Sequence, residues 1–186
     1  RLAGTLAGTG VVTGPAADNA ILTVGPLQVT GTAGFALTMS TVDADTDGNG
    51  TADLMGATLT GLALDVSGAG VSIEDVAALQ VSGRLGIATL APADVLDTRS
   101  WFGLKMAEVT VSGGLDPSLG IQLSATITIG ALDYNSATNP TTPAAAKRLD
   151  WAKSFDLAGD GQFDDELNPG ALLPTPADLT IDFASS

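Results

Sequence analysis

Apolar and polar residues alternate along most of this chain. In LQVTGTAGFALTM, residues 27 to 39, Leu27, Val29, Ala33, Phe35, Leu37 and Met39 fall on one side. Gln28, Thr30, Thr32 and Thr38 fall on the other. A period of two with β-branched polar residues predicts a half-buried strand. The same pattern predicts strands in ATLTGLALDV (57–66), LQVSGRLGIATL (79–90), MAEVTVSG (106–113), LGIQLSATITIG (119–130), ADLTIDF (177–183) and NAILTV (19–24). Helical signal is thin. IEDVAAL, residues 73–79, has room for a turn or two. PAAAKRLDWAKSFDL, residues 143–157, predicts a short helix, because Pro143 suits a first turn and Leu149, Lys153 and Asp156 follow at three- and four-residue steps. Segments 136–145 and 168–177, rich in Pro, Thr and Asn, read as loops.

A repeat underlies the alternation. The tripeptide Val-[Ser/Thr]-Gly begins at Val12, Val29, Val66, Val81 and Val111, at steps of 17, 37, 15 and 30 residues. LQVTG at 27, LDVSG at 64 and LQVSG at 79 share a longer form, and VTVSG at 109 is close to it. The steps are near one or two multiples of a unit of roughly 15–18 residues, which suits one strand pair with its turn or one coil of a small solenoid. Each unit is expected to end its strand at the glycine, where the backbone can bend. One unit cannot bury its apolar side alone, but stacked units can. The predicted fold is therefore all-β: elongated and repetitive, solenoid-like or of stacked hairpins, with the short helical insert near 143–157. A compact β-sandwich is the alternative. Residues 1–135 form the repetitive region and 136–186 a C-terminal part packed on the same body.

Composition narrows the chemistry. The 186 residues include 23 Gly, with two Trp, one Tyr and five Phe, so the side chains are thin and sheets can approach closely. Seven basic residues against 21 acidic ones give a net charge of −14. Such a chain repels nucleic acid and anionic membrane surfaces and attracts cations. After Arg1 the next basic residue is Arg84. The absence of Cys and His removes disulfides, thiol nucleophiles, Ser-His-Asp triads and the usual zinc sites. No apolar run reaches the ~18 residues of a membrane span. The chain opens on Arg1 without Met or signal peptide and reads as a segment of something longer.

The acidic residues concentrate in two loops. In VDADTDGNGTADL, Asp43, Asp45 and Asp47 alternate ahead of Gly48, and Asn49 and Asp53 follow. Calcium takes six to eight oxygens, and Asp at positions 1, 3 and 5 with Gly at 6 turns a loop sharply enough to aim three carboxylates inward. Leu54 stands where a helix–loop–helix calcium site would have its bidentate Glu, so this is a related loop between strands, with Asp53 serving one place earlier. DLAGDGQFDDEL, residues 156–167, is a second candidate. Asp156, Asp160, Gly161, Gln162 and Asp164 hold positions 1, 5, 6, 7 and 9, with Ala158 lacking an oxygen at position 3. The expected ligands are Asp43, Asp45, Asp47, Asn49, Asp53, Asp156, Asp160, Gln162 and Asp164, and the expected ion is Ca²⁺, ahead of Mg²⁺.

Other candidates are weaker. GTLAGTG, residues 4–10, mimics a phosphate loop but lacks the Lys. Asp94, Asp97 and Glu108 offer carboxylates for glycoside hydrolysis with few aromatics to stack a sugar. Trp101, Phe102 and Trp151 read as core anchors. Thr126 and Thr128 sit on an exposed strand face.

LQVSGRLGIATL, WFGLKMAEVTVSGG, LDYNSATNP and RLDWAKSFDLAGDGQFDDELNPGALLPTPADLTIDF resemble repeats of very large secreted bacterial surface proteins, adhesin-like and bearing haemolysin-type calcium-binding repeats. The resemblance runs from about residue 27 onward and rests on repeat style. It implies secretion of type I kind, a location outside the cell or on its surface, and folding assisted by calcium. The nonapeptide Gly-Asp repeats of the haemolysin type are absent from this chain. The expectation is a non-enzymatic structural module of a surface or filament protein. Its partners would be neighbouring repeats or identical subunits, without nucleic acid or membrane insertion. The alternative is a calcium-dependent adhesin domain that binds glycans or a host surface.

Overall fold

The computed structural model describes residues 2–7, 20–24, 27–73, 76–120, 122–139 and 147–185. The architecture is all-β. Seven strands form one antiparallel sheet: β1 (Leu2–Ala7), β2 (Ala20–Val24), β3 (Leu27–Ala44), β4 (Leu54–Ile73), β5 (Ala77–Ala91), β6 (Ser100–Leu115) and β7 (Ser124–Thr138). From β3 to β7 each strand pairs with the next in sequence. β1 and β2 share the outer edge of β3, β1 along residues 32–37 and β2 along 27–30. Two short 3₁₀ turns, Pro117–Leu119 and Pro169–Leu172, are the helical elements among the described residues. None of these is long and apolar enough to cross a membrane, which leaves strand-built spans unaddressed.

Of the two elongated forms expected, the chain adopts stacked hairpins: all pairs are antiparallel, where solenoid coils would stack in parallel. Among the described residues there is a single sheet, not the two of a sandwich. The repeat unit is a single strand. β3 to β7 are 18, 20, 15, 16 and 15 residues long, close to the spacing of the Val-[Ser/Thr]-Gly tripeptides. Nor do the strands end at the repeat glycines. Gly31, Gly68 and Gly83 lie mid-strand in a row of β-bulges across the sheet, whereas Gly113 pairs regularly near the end of β6 and the tripeptide at Val12 lies outside the described residues. Gly31 stands opposite the pair Gly68–Ala69, and Gly83 opposite Glu108–Val109. Gly68 has φ +59° and Glu108 φ +55°, the left-handed conformation at the first residue of one common type of bulge. Glu108 is held by Arg84 at 2.7 Å.

The bulges keep the alternation in phase. In β4 the outward apolar residues are even-numbered up to Val66, and in β6 up to Met106. Beyond the bulge of β6 they are the odd-numbered Val109 and Val111. One extra residue in each strand restores the face that a period of two would otherwise lose. Two complete rows of large apolar residues therefore cross five strands: Leu37, Leu62, Ile87, Leu104, Tyr134, and Phe35, Leu64, Leu85, Met106, Leu132.

The core lies on the other face, contrary to the simplest reading of the alternation. There the rows are Ala36, Ala63, Gly86, Lys105, Asp133, and Thr38, Gly61, Ala88, Gly103, Asn135. These small side chains let the C-terminal segment 147–185 lie close. A Cβ on Gly103 would sit 3.0 Å from Ile181 and 3.1 Å from the Trp151 ring, and one on Gly86 would sit 3.1 Å from Leu179. Leu149, Trp151, Phe155 and Ile181 bury themselves against Leu54, Leu59, Leu90 and Trp101, and Leu173 and Leu179 against Ala36 and Ala63. The Trp101 indole N–H donates to the Lys147 carbonyl and the Trp151 indole N–H to Asn135. The two tryptophans are thus core anchors. Phe102 is on the open face, edge-on to Tyr134 at 6.1 Å.

The expected helix at 143–157 is corrected. Residues 143–146 lie outside the described residues, and 147–157 run through bends and turns. The backbone bonds a helix would need go elsewhere. Trp151 N–H donates to Phe183 O, Ser154 O accepts from Asp45 N–H, and the Ser154 hydroxyl takes the Asp150 carbonyl. Burying Leu149, Trp151 and Phe155 against the sheet outweighs local propensity. The expected strand at 177–183 is reduced to one bridge, Leu167 to Ile181. Around 73–79 the chain leaves β4 at Ile73 and enters β5 at Ala77, with 74–75 outside the described residues. β7 runs across the division expected at 135–136.

The bulge row separates two glycine substitutions. A Cβ on Gly83 (φ +147°) would sit 2.7 Å from the Val109 Cα, whereas one on Gly68 (φ +59°) meets nothing within 4 Å. Gly68→Ala is expected to cost the ~1 kcal/mol of a left-handed L-residue, and Gly83→Ala more than about 2 kcal/mol. Urea unfolding of the two variants reads the difference; equal costs would contradict the bulge geometry.

Candidate metal centre

The two acidic loops, whose leading Asp45 and Asp156 are 111 residues apart in sequence, lie side by side. The first, residues 45–53, joins β3 to β4 at one end of the sheet. The second lies in the C-terminal segment. An antiparallel bridge between Ala44 and Phe155 joins their starts, reinforced by Asp45 N–H to Ser154 O at 3.1 Å. A cleft between them is lined by Asp45, Gly48, Gly50, Lys153, Gln162 and Asp164.

The loops share one internal construction. Asp45 Oδ1 accepts the N–H groups of Gly48 (2.7 Å) and Asn49 (3.3 Å), and its Oδ2 accepts Gly50 N–H (2.6 Å). Asp156 Oδ1 accepts Gly159 (2.6 Å) and Asp160 (2.9 Å), and its Oδ2 accepts Gly161 (2.9 Å). The same offsets, three, four and five residues on, recur in both. Each loop needs two left-handed glycines: Gly48 and Gly50 at φ +81° and +82°, Gly159 and Gly161 at +76° and +84°. Each closes when a later Asp N–H donates to the carbonyl before the first Asp: Asp53 to Ala44 (3.0 Å), Asp165 to Phe155 (3.1 Å). The second loop is one residue longer.

This construction redistributes the residues expected to bind metal. Asp45, Asp47 and Asp53 each bring a carboxylate oxygen within 4.8 Å of the others, the one such trio among the described residues. Three carboxylates, with no nitrogen or sulfur donor, are a set that could hold a hard cation; Asp53 meanwhile accepts the Thr46 N–H on Oδ1 and the Thr46 hydroxyl on Oδ2. Asp43 is apart from the trio, its Oδ1 accepting Gly56 N–H at 2.7 Å. Asn49 donates from Nδ2 to Asp47 Oδ2 (3.1 Å) and accepts Thr51 N–H on Oδ1 (2.8 Å). In the second loop Asp156 accepts N–H groups as Asp45 does, Asp160 Oδ1 accepts Gln162 N–H (2.9 Å), and Gln162 and Asp164 face the cleft. The residue missed was Asp165, whose Oδ2 accepts Ala158 N–H at 2.7 Å. Aligning the loops on their Gly-x-Gly pairs sets Asp164 opposite Asp53, because the second loop is one residue longer; only the closing bond to Phe155 O marks Asp165 as the counterpart of Asp53.

Asp45 is buried and 2% exposed. Burial pushes its carboxyl up, but the N–H groups of Gly50, Gly48 and Asn49 outweigh this and hold it below the usual carboxylate range. Cations stand close by: Lys147 Nζ donates to the Asp47 carbonyl at 2.9 Å, and Lys153 lines the cleft. The bidentate Asp97–Arg99 pair lies near enough to the first loop for Asp53 to act on the guanidinium, and that guanidinium holds Asp97 below its usual range. Asp94 caps Leu96 N–H, and Glu108 pairs with Arg84, so these three carboxylates each serve the local structure. Of GTLAGTG, residues 4–7 run in β1 and 8–10 lie outside the described residues.

Because the folded-state pKa of Asp45 is depressed, the unfolded chain binds that proton more tightly. The stabilisation is complete above the ordinary value of 3.8 and is lost as pH falls through the lower folded value. Melting temperature in chelator should therefore hold steady near neutrality and fall below about pH 4. Asp45→Asn should cost roughly 1–3 kcal/mol at neutral pH and flatten that acid limb; an unchanged limb would remove Asp45 from this role. No family model, curated protein or solved structure matches this chain, so the functional reading rests on the geometry of its own residues.

Proposed function

We propose that this chain is a structural module of an extracellular or surface-displayed filament or adhesin-like protein, held together by calcium rather than acting as a catalyst. The observation that supports the reading most is the meeting of two like-built acidic loops across the Ala44–Phe155 bridge. A cation held by Asp45, Asp47 and Asp53 would neutralise the trio, stiffen the β3–β4 connection and fix the site where the C-terminal segment joins the sheet. The unfolded chain gathers no such oxygens, so binding adds to stability by mass action. In calcium-rich surroundings outside a cell the module would be locked, while in a calcium-poor interior it would be looser. Calcium is preferred to magnesium because an irregular oxygen set suits a large, flexible coordination sphere better than a strict octahedron.

A second reading has one observation in its favour. A groove beside the second loop sets the hydroxyls and carboxylates of Ser40, Thr41, Asp43, Asp156 and Glu166 among apolar residues such as Leu157 and Phe163, a mixed lining of the kind that grips a sugar. Calcium-dependent retention on a glycan array would select this adhesin reading over the purely structural one.

Calcium at a hundred times its dissociation constant should stabilise the wild-type chain by about 2.7 kcal/mol, with a smaller response to magnesium. Asp47→Ala and Asp53→Asn should each abolish most of the response. Thermal unfolding with calcium and with chelator, beside a count of retained metal, is the check. Equal melting in both, with no metal retained, ends the calcium reading.

A further inference from the structure

The open face of the sheet has no cover among the described residues. The hydrophobic clusters that tie segment 147–185 to the sheet fall on the small-residue face. Opposite stand Phe35, Leu37, Leu62, Leu64, Leu85, Ile87, Leu104 and Met106, each partly screened by its strand neighbours. Towards β7 the exposure rises: Leu132 47%, Tyr134 54% and Ile127 64%. The register carries the face on through Val66, Val109 and Ile129 and through Val81, Val111 and Ile127; at about 4.8 Å between strands and ~3.3 Å per residue, five strands and these four rows present a face on the order of 600 Å². Monomers rarely leave apolar patches larger than roughly 300–600 Å², while a standard interface takes about 800 Å² from each partner.

We propose that this face is the contact between two copies of the chain, packed sheet on sheet. Three observations favour a second copy. Two such faces together reach the lower end, about 1,200 Å², of what a specific interface buries. The two complete rows carry no charged side chain, so no charge awaits a complementary partner. The chain as a whole carries −14, so most other surfaces would bring carboxylates of two copies together, whereas this face would not. The row of bulges holds the apolar residues in phase along the strands, which gives the face the continuity a sheet-on-sheet contact at ~10 Å separation requires. The contact would be isologous, with the rows through Leu37 and Phe35 of each copy facing the same rows of the other. The inference stands on the sheet face alone and does not need the calcium reading.

The test is the solution mass of the whole chain by light scattering across micromolar concentrations, in chelator and in calcium. The expected mass is twice the 18.4 kDa of one chain in both. Leu64→Lys combined with Leu85→Lys should halve it while far-ultraviolet circular dichroism keeps its strand signal. Thr126→Lys combined with Thr128→Lys, on the other side of the edge strand β7, should leave the dimer intact. The cysteine-free background gives an independent readout should the face variant unfold: Ile87→Cys should cross-link between copies through a short bismaleimide, and Thr128→Cys should not. A wild-type monomer at the highest concentration overturns the proposal. So does a dimer that survives the face pair and dissociates with the edge pair, which would mean strand addition through β7. So does a dimer whose cross-links form through Thr128→Cys and not Ile87→Cys.

Discussion

Close approach of a strand-poor segment to a glycine- and alanine-lined sheet is the constraint on which the rest depends. Gly86, Gly103, Ala63 and Ala88 offer no side chain to hold residues 147–185 away. Trp151, Phe155, Leu179 and Ile181 fill the space so left and are fully buried. Because the segment has little regular structure, its backbone is satisfied by the sheet end and by itself, through pairs such as Trp151 N–H to Phe183 O. Its course then decides where residue 155 lies, and with it the second acidic loop. A bulky residue at Gly103 would disturb a site that it does not touch.

The same sheet carries two unlike faces. One is small-residue and covered near the loop end, and continues beyond it with Ser82, Thr110, Thr128, Gln80, Ser112 and Thr126 in register. The other carries the rows of large apolar residues through Leu37 and Phe35, bordered towards the loop end by Thr60, Thr89 and Ser136. A chain that alternates with period two should lose its face whenever a strand takes an extra residue. Here the extra residues at Gly68 and Glu108 fall in β4 and β6, and the glycines that accommodate them, Gly31 and Gly83, fall in β3 and β5. The repeat glycine therefore serves as the bulge residue in β4 and as the clearance for a bulge in β3 and β5, while the β6 bulge at Glu108 lies outside that strand's tripeptide.

The loops add the electrostatic part. Seven cations against 21 carboxylates leave the acidic loops with few neutralising partners, and Lys147 and Lys153 reach the site only because the C-terminal segment carries them there. Hydrogen bonds from backbone N–H groups do much of the remaining work at Asp45 and Asp156. That arrangement turns each leading Asp into the organiser of its loop, and in the first loop Asp47 and Asp53, themselves held by Asn49 and Thr46, converge beside it.

Much of this was legible in the residues alone. Alternation marked β3 to β6 because strand side chains have a period of two that neighbours cannot alter. The Asp-Gly spacing marked both loops, since only glycine takes the left-handed turns they need cheaply. The absence of Cys and His limited any metal site to oxygen donors. What only the tertiary structure decided was non-local. Which sheet face is covered depends on how near a distant segment can come, and periodicity reports two faces without saying which one is met. The fate of residues 147–157 went the same way: helical spacing is a local preference worth tenths of a kcal/mol per residue, and the burial of Leu149, Trp151 and Phe155 overrides it. The pairing of the two loops rests on a bridge between Ala44 and Phe155, a contact that no local pattern encodes.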